Sequence, residues 1–214
     1  MRKLILIPLL LGIATALSCS SGTNTNRTAN SKASPDVKKG VVPVADPEIA
    51  VMEMESPAYG TVKMELYSNI APKMVARFKE LAKEGYYDGI AFHRINETVI
   101  QAGNADTKPG AKPTAGKEGD SGKPNVEGEF SDIPYDTGIL GAARLSGDNN
   151  SQNSQFFIML KREAAFDKGY TVFGKVIDGM NNVRTIAGAP RNGEKPTEPV
   201  RIKHISIVPR DEAK

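Results

Sequence analysis

The chain is poor in the residues on which cross-linked domains and metal centres depend. Its 214 residues include one cysteine, two histidines and no tryptophan. A lone cysteine cannot form an internal disulfide, and His93 and His204 do not show the spacing of a metal-binding pair. The sequence therefore excludes an internal disulfide framework and gives no indication of a metal site.

Net charge and long apolar runs are equally scarce. The formal net charge is +3, and Arg2 and Lys3 supply two of these charges from a segment that we expect to be removed. The remaining charge of about +1 is too small to indicate a nucleic acid or an acidic membrane surface as a partner. The apolar run over residues 4–17 is shorter than the ~20 residues that a transmembrane helix needs.

The N-terminus has the layout of a secretory signal. Residues 1–22, MRKLILIPLLLGIATALSCSSG, give a basic start, an apolar stretch and then small residues. The tetrapeptide ALSC at the end of the stretch resembles a bacterial lipoprotein cleavage box. The resemblance implies a signal peptide over residues 1–18, acylation of Cys19 and, from Ser20, a lipid anchor in the outer membrane facing the periplasm. Ordinary secretion with an incidental cysteine is the alternative.

The segment that follows the signal is polar. Residues 19–47 are rich in Ser, Asn, Thr and Pro and show no apolar periodicity. Such a segment buries too little apolar surface to offset the entropy of ordering it. We therefore predict a flexible tether over residues 19–47 and a folded domain, expected to be a monomer, over residues 48–210.

The domain begins with a predicted hairpin and helix. IAVMEME and TVKMELY alternate apolar and polar residues and are joined by SPAYG, which predicts two antiparallel strands. Pro72 fits the first turn of a helix that Gly85 ends. The apolar stripe of this helix consists of Val75, Phe78, Leu81 and Ala82.

Short β-like runs make up most of the rest of the domain. A second short helix, with Met180, Val183 and Ile186 on one side, ends at Gly188. Many short strands, two helices and no repeated strand–helix–strand alternation favour an antiparallel barrel or sandwich capped by helices. The runs are GIAFHRI, TVIQAG, GILGAA, SQFFIML, YTVFGKVI and VRIKHISIV.

An arginine interrupts one of these runs. In FHRINETVIQAGN, residues 92–104, Arg94 lies between the apolar residues Phe92 and Ile95. A buried arginine is unfavourable unless a carboxylate pairs with it. Arg94 must therefore either form a structural ion pair or face a groove, and the residues alone leave both open.

Three blocks in this chain resemble the cyclophilin-type peptidyl-prolyl isomerases. They are YYDGIAFHRINETVIQAGN, GILGAARLSGDNNSQNSQFFIML and YTVFGKVIDGMNNV, and the resemblance runs in order from about Glu53 to Val208. It implies a mainly β fold, a closed eight-stranded antiparallel β-barrel capped by two α-helices. It also implies that Arg94 points into an active groove on the outer face of the barrel.

The chemistry of this family explains an arginine in a groove. Amide resonance opposes rotation about a peptide bond with a barrier of about 18–20 kcal/mol. In the twisted state the prolyl nitrogen regains a lone pair, and a guanidinium can donate a hydrogen bond to it that the planar state cannot accept. No bond is broken, so the reaction needs no nucleophile, metal or cofactor.

The resemblance assigns the other groove residues. Phe157 forms the floor of a proline pocket, Gln101 binds substrate backbone and supports Arg94, and His93 borders the groove. A structural role is favoured for His93, because the reaction needs no general base. Core packing is the alternative for the phenylalanines and is the interpretation we adopt for Phe156 and Phe173. The remaining expected substrate-binding residues are Val99, Phe166, Ala143, Gln155 and Tyr170.

The chain also departs from the family pattern. Gln101 lies seven positions after Arg94, where the family usually has eight, and Thr98 or Val99 stands in place of a pocket phenylalanine. We expect an isomerase that acts on proline-containing polypeptides outside the cytoplasm and assists their folding. The alternatives are a module that binds or chaperones proline-containing segments without catalysis, and an anchored structural lipoprotein whose barrel is only a scaffold and whose groove binds no peptide.

Overall fold

The computed structural model describes residues 36–112 and 121–212. The predicted signal peptide, Cys19 and the first part of the predicted tether lie outside the described residues. Ten strands and two helices follow one another along the described chain. The strands are β1 (Glu48–Met54), β2 (Thr61–Leu66), β3 (Arg94–Ile95), β4 (Val99–Ala102), β5 (Ile139–Ala142), β6 (Phe156–Met159), β7 (Val172–Asp178), β8 (Arg191–Asn192), β9 (Lys195–Pro196) and β10 (Ile202–Pro209), and the helices are α1 (Pro72–Lys83) and α2 (Met180–Ala187).

Eight of these strands form one curled antiparallel sheet in the order β10-β1-β2-β7-β5-β6-β4-β3, and β8 and β9 form a separate hairpin. The mainly β prediction with two helices is confirmed, but the prediction of a closed barrel is wrong. The sheet is a half-barrel whose edge strands, β10 and β3, are not joined by a ladder. Residues 89–92 bond to residues 200–202 around one isolated bridge, Ala91–Arg201. Beyond that bridge the β8–β9 hairpin lies beside β3, and the amide of Ile95 donates to the carbonyl of Glu194 at 2.7 Å.

The predicted helices pack as their apolar stripes indicate. Val75, Phe78, Leu81 and Ala82 of α1 are all buried, and Gly85 takes the positive φ of +67° that commonly ends a helix. On α2, Val183 and Ile186 are buried and Met180 packs partly against the same core. Neither helix in the described part of the chain is long and apolar enough to span a membrane.

The sheet has a different apolar cluster on each face. Adjacent residues of a strand point to opposite faces, so Phe156 and Phe157 separate. Phe156 joins the interior core, where its ring lies 5.5 Å from that of Phe78, and Phe173 is buried in the same core. Phe157 belongs to the cluster on the other face. The interpretation of Phe156 and Phe173 as core residues is confirmed.

The end of the predicted tether is held against the domain. The amide of Lys38 donates to the carbonyl of Phe130 at 2.9 Å, and the amide of Asp132 donates to the carbonyl of Lys38 at 2.9 Å. Asp46 is buried and accepts a 2.7 Å hydrogen bond from the hydroxyl of Ser68. These contacts lie between two and ten residues ahead of the predicted domain start at residue 48, and they give the buried backbone groups of this segment hydrogen-bond partners.

Candidate functional site

A single cross-strand row carries the central residues of the site. Arg94 on β3 pairs with Gln101 on β4, Gln101 with Phe157 on β6, and Phe157 with Gly141 on β5. Directly paired residues on neighbouring strands share a face of the sheet. The adjacent row, Ile95–Ile100–Ile158–Leu140, faces the interior. Alternation along FHRI therefore explains how an arginine fits into an apolar strand, because Arg94 points out of the core.

The outward row opens into a groove of about 280 Å³. All nine residues predicted to act in catalysis or substrate binding border it, together with Arg144. Thr98 is not among the lining residues, so Val99 occupies the wall where the family has a phenylalanine. The predicted lining residues are His93, Arg94, Val99, Gln101, Ala143, Gln155, Phe157, Phe166 and Tyr170.

The apolar end of the groove is aromatic. Phe157 is only 3% exposed, and its ring meets those of Phe166 and Tyr170 nearly edge-on, with centroids 5.6 Å away in each case. Edge-to-face contacts of this kind add stability beyond area burial. The three rings of Phe157, Phe166 and Tyr170 thus form a continuous aromatic surface at this end of the groove.

Arg94 both faces the groove and forms an ion pair. Its Nε donates to Oε2 of Glu194 at 2.6 Å and its Nη2 donates to Oε1 at 3.3 Å. The Arg94 side chain remains 43% exposed, so the pair lies at the rim of the groove and not in the core. Hydrogen bonds from Arg94 and then Asn96 hold the pKa of Glu194 below its usual value of 4.5.

The two glutamines of the groove bind each other. Nε2 of Gln101 donates to Oε1 of Gln155 at 2.9 Å, which fixes both amides beside the floor residue Phe157. Among the described residues, Arg94 donates side-chain hydrogen bonds only to Glu194. The expectation that Gln101 supports Arg94 stays a prediction. In this structure Arg94 bonds instead to the carboxylate of Glu194, which is the stronger acceptor and lies within reach.

His93 lies at the same rim, next to Arg94 in the chain. Its backbone amide donates to the carbonyl of Gln101 at 3.1 Å, which continues the β3–β4 pairing. Among the described residues, no group of three His, Cys, Asp or Glu side chains is placed to hold a metal ion.

Three groove-related residues escaped the sequence analysis. The guanidinium of Arg144 lies 4.6 Å from the centre of the Tyr170 ring, and its Nε donates to the carbonyl of Gly169 at 3.0 Å. Tyr135 is fully buried and stacks on Phe157 from behind, with centroids 5.8 Å apart. Arg144 directly follows Ala143, so the sequence block that gave Ala143 could also have given Arg144. Tyr135 contacts Phe157 and Glu194 contacts Arg94 over long sequence distances, which no local pattern indicates.

A larger depression lies elsewhere on the molecule. It measures about 460 Å³, is lined by residues 177–182 at the start of α2, and contains none of the predicted site residues. The groove is the better candidate site, since it combines an apolar floor with a few converging polar groups.

Comparison with known proteins gives the same family as the three sequence blocks. Residues 50–207 match the family model described as cyclophilin type peptidyl-prolyl cis-trans isomerase/CLD. A probable peptidyl-prolyl cis-trans isomerase of Brucella suis is 38% identical over 165 residues, which cover 71% of this chain and 81% of the relative. The isomerase ppi1 of Schizosaccharomyces pombe is 37% identical over 161 residues, which cover 72% and 96% of the two chains.

A solved structure supports the fold as well. The cyclophilin type isomerase of Cryptosporidium parvum, crystallised in the presence of the dipeptide Ala-Pro, matches with a TM-score of 0.65 and 30% identity. The match covers 74% of this chain and 98% of that one. Fold and groove together define a peptidyl-prolyl isomerase domain. The chain belongs to the cyclophilin-type peptidyl-prolyl cis-trans isomerase family.

Proposed function

We propose that this protein accelerates rotation about X–Pro bonds of polypeptides outside the cytoplasm, and thereby assists their folding. The observation that supports this most directly is one groove that combines the guanidinium of Arg94 with the aromatic floor of Phe157. The two groups supply what the reaction requires: a holder for the prolyl ring, and a cation beside it.

The catalytic role assigned to Arg94 follows from what changes on twisting. With the prolyl ring held against Phe157, a guanidinium hydrogen can bond to the prolyl nitrogen once resonance with the carbonyl is lost. This bond exists only in the twisted state, so it lowers the barrier without tightening ground-state binding. Arginine suits the task because it stays charged and its donors form a planar fork.

The other groove residues bind the chain on either side of proline. Gln101 and Gln155 are already paired with each other, and their amides are oriented before a peptide arrives. Ala143 leaves room for the side chain before proline. Val99, Phe166 and Tyr170 enclose the ring, and His93 completes the rim.

A cis–trans exchange experiment tests catalysis. NMR exchange spectroscopy on a proline-containing peptide, with the protein present at a small fraction of the peptide concentration, follows both isomers at once. We expect exchange peaks between cis and trans that are absent without protein, because uncatalysed exchange takes tens to hundreds of seconds. A peptide that binds the protein but shows no exchange peaks between its cis and trans forms would contradict the proposal.

A non-catalytic peptide-binding module is the second candidate. Two observations favour it: Arg94 is engaged by a carboxylate, and the pocket wall is Val99 and not an aromatic residue. The smaller wall weakens binding of a prolyl ring by about 1–2 kcal/mol. The same NMR sample distinguishes the candidates, because chemical-shift changes report binding and exchange peaks report catalysis.

We further propose that the protein is exported and held at the outer membrane by lipid on Cys19. The support is the order of basic residues, apolar run and ALSC box in the sequence. Growth of expressing cells with a radiolabelled fatty acid should label the protein, and Cys19→Ser should abolish the label. An unlabelled wild-type protein would contradict the anchor and leave the isomerase proposal intact.

A further inference from the structure

The guanidinium of Arg94 is held along one edge only. Nε and Nη2 both donate to the carboxylate of Glu194, at 2.6 Å and 3.3 Å. Within residues 36–112 and 121–212, no acceptor bonds to Nη1 of Arg94. Glu194 is not among the residues that line the groove, whereas Arg94 is. The carboxylate therefore holds the guanidinium from outside the groove and leaves the Nη1 edge for a ligand.

Glu194 is itself fixed by two hairpins. It lies in the turn between β8 and β9, where Gly193 has a φ of +60°, and its backbone carbonyl accepts the amide of Ile95 at 2.7 Å. Its Oε1 also accepts Nδ2 of Asn96 at 2.6 Å. Both the backbone and the carboxylate of Glu194 are therefore tied to the strand that carries Arg94.

Asn96 is held in turn by the loop between β3 and β4. Its Oδ1 accepts the amides of Thr98 and Val99, each at 2.9 Å. These bonds fix the plane of the Asn96 amide and direct Nδ2 at Glu194. A continuous chain of hydrogen bonds runs from the loop backbone through Asn96 and Glu194 to Arg94.

We propose that Glu194 is a positioning residue that orients Arg94, so that its Nη1 edge faces the prolyl nitrogen. The inference rests on the catalytic role proposed for Arg94. Arginine has a long side chain with considerable rotamer freedom, and a two-point contact with a fixed carboxylate selects one orientation. Small displacements of a catalytic group reduce rates strongly.

The contact serves orientation more than stability. The side chains of Arg94 and Glu194 are 43% and 51% exposed. Exposed ion pairs contribute little to the stability of a fold. The carboxylate of Glu194 also offsets part of the positive charge of Arg94, and this offset works against catalysis. Removal of Glu194 takes away an acceptor but none of the N–H donors of Arg94, so the loss of geometry dominates.

Substitution of Glu194 in the whole protein tests this. We expect Glu194→Ala to reduce the exchange rate at saturating peptide roughly tenfold, with the half-saturating peptide concentration nearly unchanged, because the orientation matters only in the twisted state. Glu194→Gln retains one acceptor oxygen and should fall between wild type and Glu194→Ala. Glu97→Ala is the matched control. It removes an 84% exposed carboxylate from the turn between β3 and β4, where Glu97 pairs with Arg191 and not with Arg94. It should exchange peptide at the wild-type rate.

The Nε–H signal of Arg94 in ¹⁵N NMR gives a readout that a purely structural role would not move. In the wild type we expect a slowly exchanging, shifted signal from the 2.6 Å hydrogen bond. It should broaden or disappear in Glu194→Ala and persist in Glu97→Ala.

The outcomes separate this inference from the proposed function. Wild-type or faster exchange in Glu194→Ala, alongside lost exchange in Arg94→Ala, would overturn the positioning role and leave the isomerase proposal standing. A tenfold reduction that appears in the half-saturating concentration and not in the saturated rate would also overturn it. Retained exchange in Arg94→Ala would overturn the function on which the inference rests.

Discussion

Gly141 lies directly behind the ring of Phe157. The two residues pair across β5 and β6, and a Cβ built on Gly141 would overlap Cζ and Cε2 of the ring. Its φ is not positive, so the ring and not the backbone conformation requires glycine here. The depth of the groove floor thus depends on a residue that contributes no side chain.

Gly141→Ala should displace Phe157 towards the groove and fill part of the prolyl pocket. We expect weaker peptide binding, and a loss of about 1–3 kcal/mol in the free energy of unfolding from overpacking. Peptide titration by NMR and urea unfolding measure the two effects. Gly188→Ala, at the end of α2 where a Cβ would meet its nearest neighbour at 3.4 Å, is the control. Unchanged peptide affinity in Gly141→Ala would show that the Phe157 ring can move aside without filling the prolyl pocket, and would contradict this prediction.

Glu129 caps α1 from a distant loop. Ala71 at the helix N-cap offers no side-chain acceptor, and Glu129 accepts the amides of Lys73 at 3.2 Å and Met74 at 2.9 Å. Because these amides have no acceptor within the helix, Glu129→Ala should reduce the free energy of unfolding by about 1–2 kcal/mol. Urea unfolding checks this.

Glu127→Ala is the matched control for the helix cap. Glu127 also pairs with Lys73, but through exposed side chains. Its removal should leave the free energy of unfolding nearly unchanged, because surface substitutions of this kind have small effects. Equal losses in the two variants would mean that the contribution of Glu129 comes from surface charge and not from capping.

Asp46 should make the attachment of the N-terminal segment sensitive to acid. Burial alone raises its pKa, but hydrogen bonds from Lys79 and Ser68 outweigh burial and hold the pKa below 3.8. The unfolded chain therefore binds more protons, so the stability from Asp46 is present above the unfolded pKa and is lost as pH falls through the folded one.

Urea unfolding of Asp46→Asn and wild type at several pH values measures this contribution. The difference in free energy of unfolding should be largest near neutral pH and should shrink as the pH falls below 3.8. Asp178→Asn, which removes an exposed carboxylate 3.6 Å from Lys63, should give a small difference at every pH. An Asp46→Asn difference that grows towards acid would contradict the sign of the pKa shift.

Local patterns predicted the helices and the first hairpin, because the apolar periodicity of these elements lies within short stretches of sequence. The α1 stripe over Val75, Phe78 and Leu81 and the alternation in the first hairpin depend on neighbours in sequence. Closure of the sheet depends on pairing of residues 89–92 with residues 200–202, about a hundred positions away. No local sequence pattern indicates how many residues take part in that pairing. The family resemblance implied full closure, and the structure shows one isolated bridge.

The family blocks led to the residues expected in the site, whereas Tyr135 and Glu194 are brought near the groove by long-range contacts of the folded chain. All nine expected groove residues lie together, since motif blocks preserve the register of β3, β4 and β6. Glu194 was missed although Asn192-Gly193 is a strong turn signal between two short strands. That signal predicts a hairpin, but only the folded chain brings the hairpin to Arg94.

The most direct measurement is the cis–trans exchange rate of a proline-containing peptide with the wild type, Arg94→Ala and Arg94→Lys. Arg94 is exposed at the groove rim, so the free energy of unfolding should change by ~1 kcal/mol or less. Catalysed exchange should fall roughly 100-fold in Arg94→Ala, as expected for loss of a donor to the transition state. Arg94→Lys should recover only part of it. Exchange by a folded Arg94→Ala protein at the wild-type rate would contradict the role of this guanidinium.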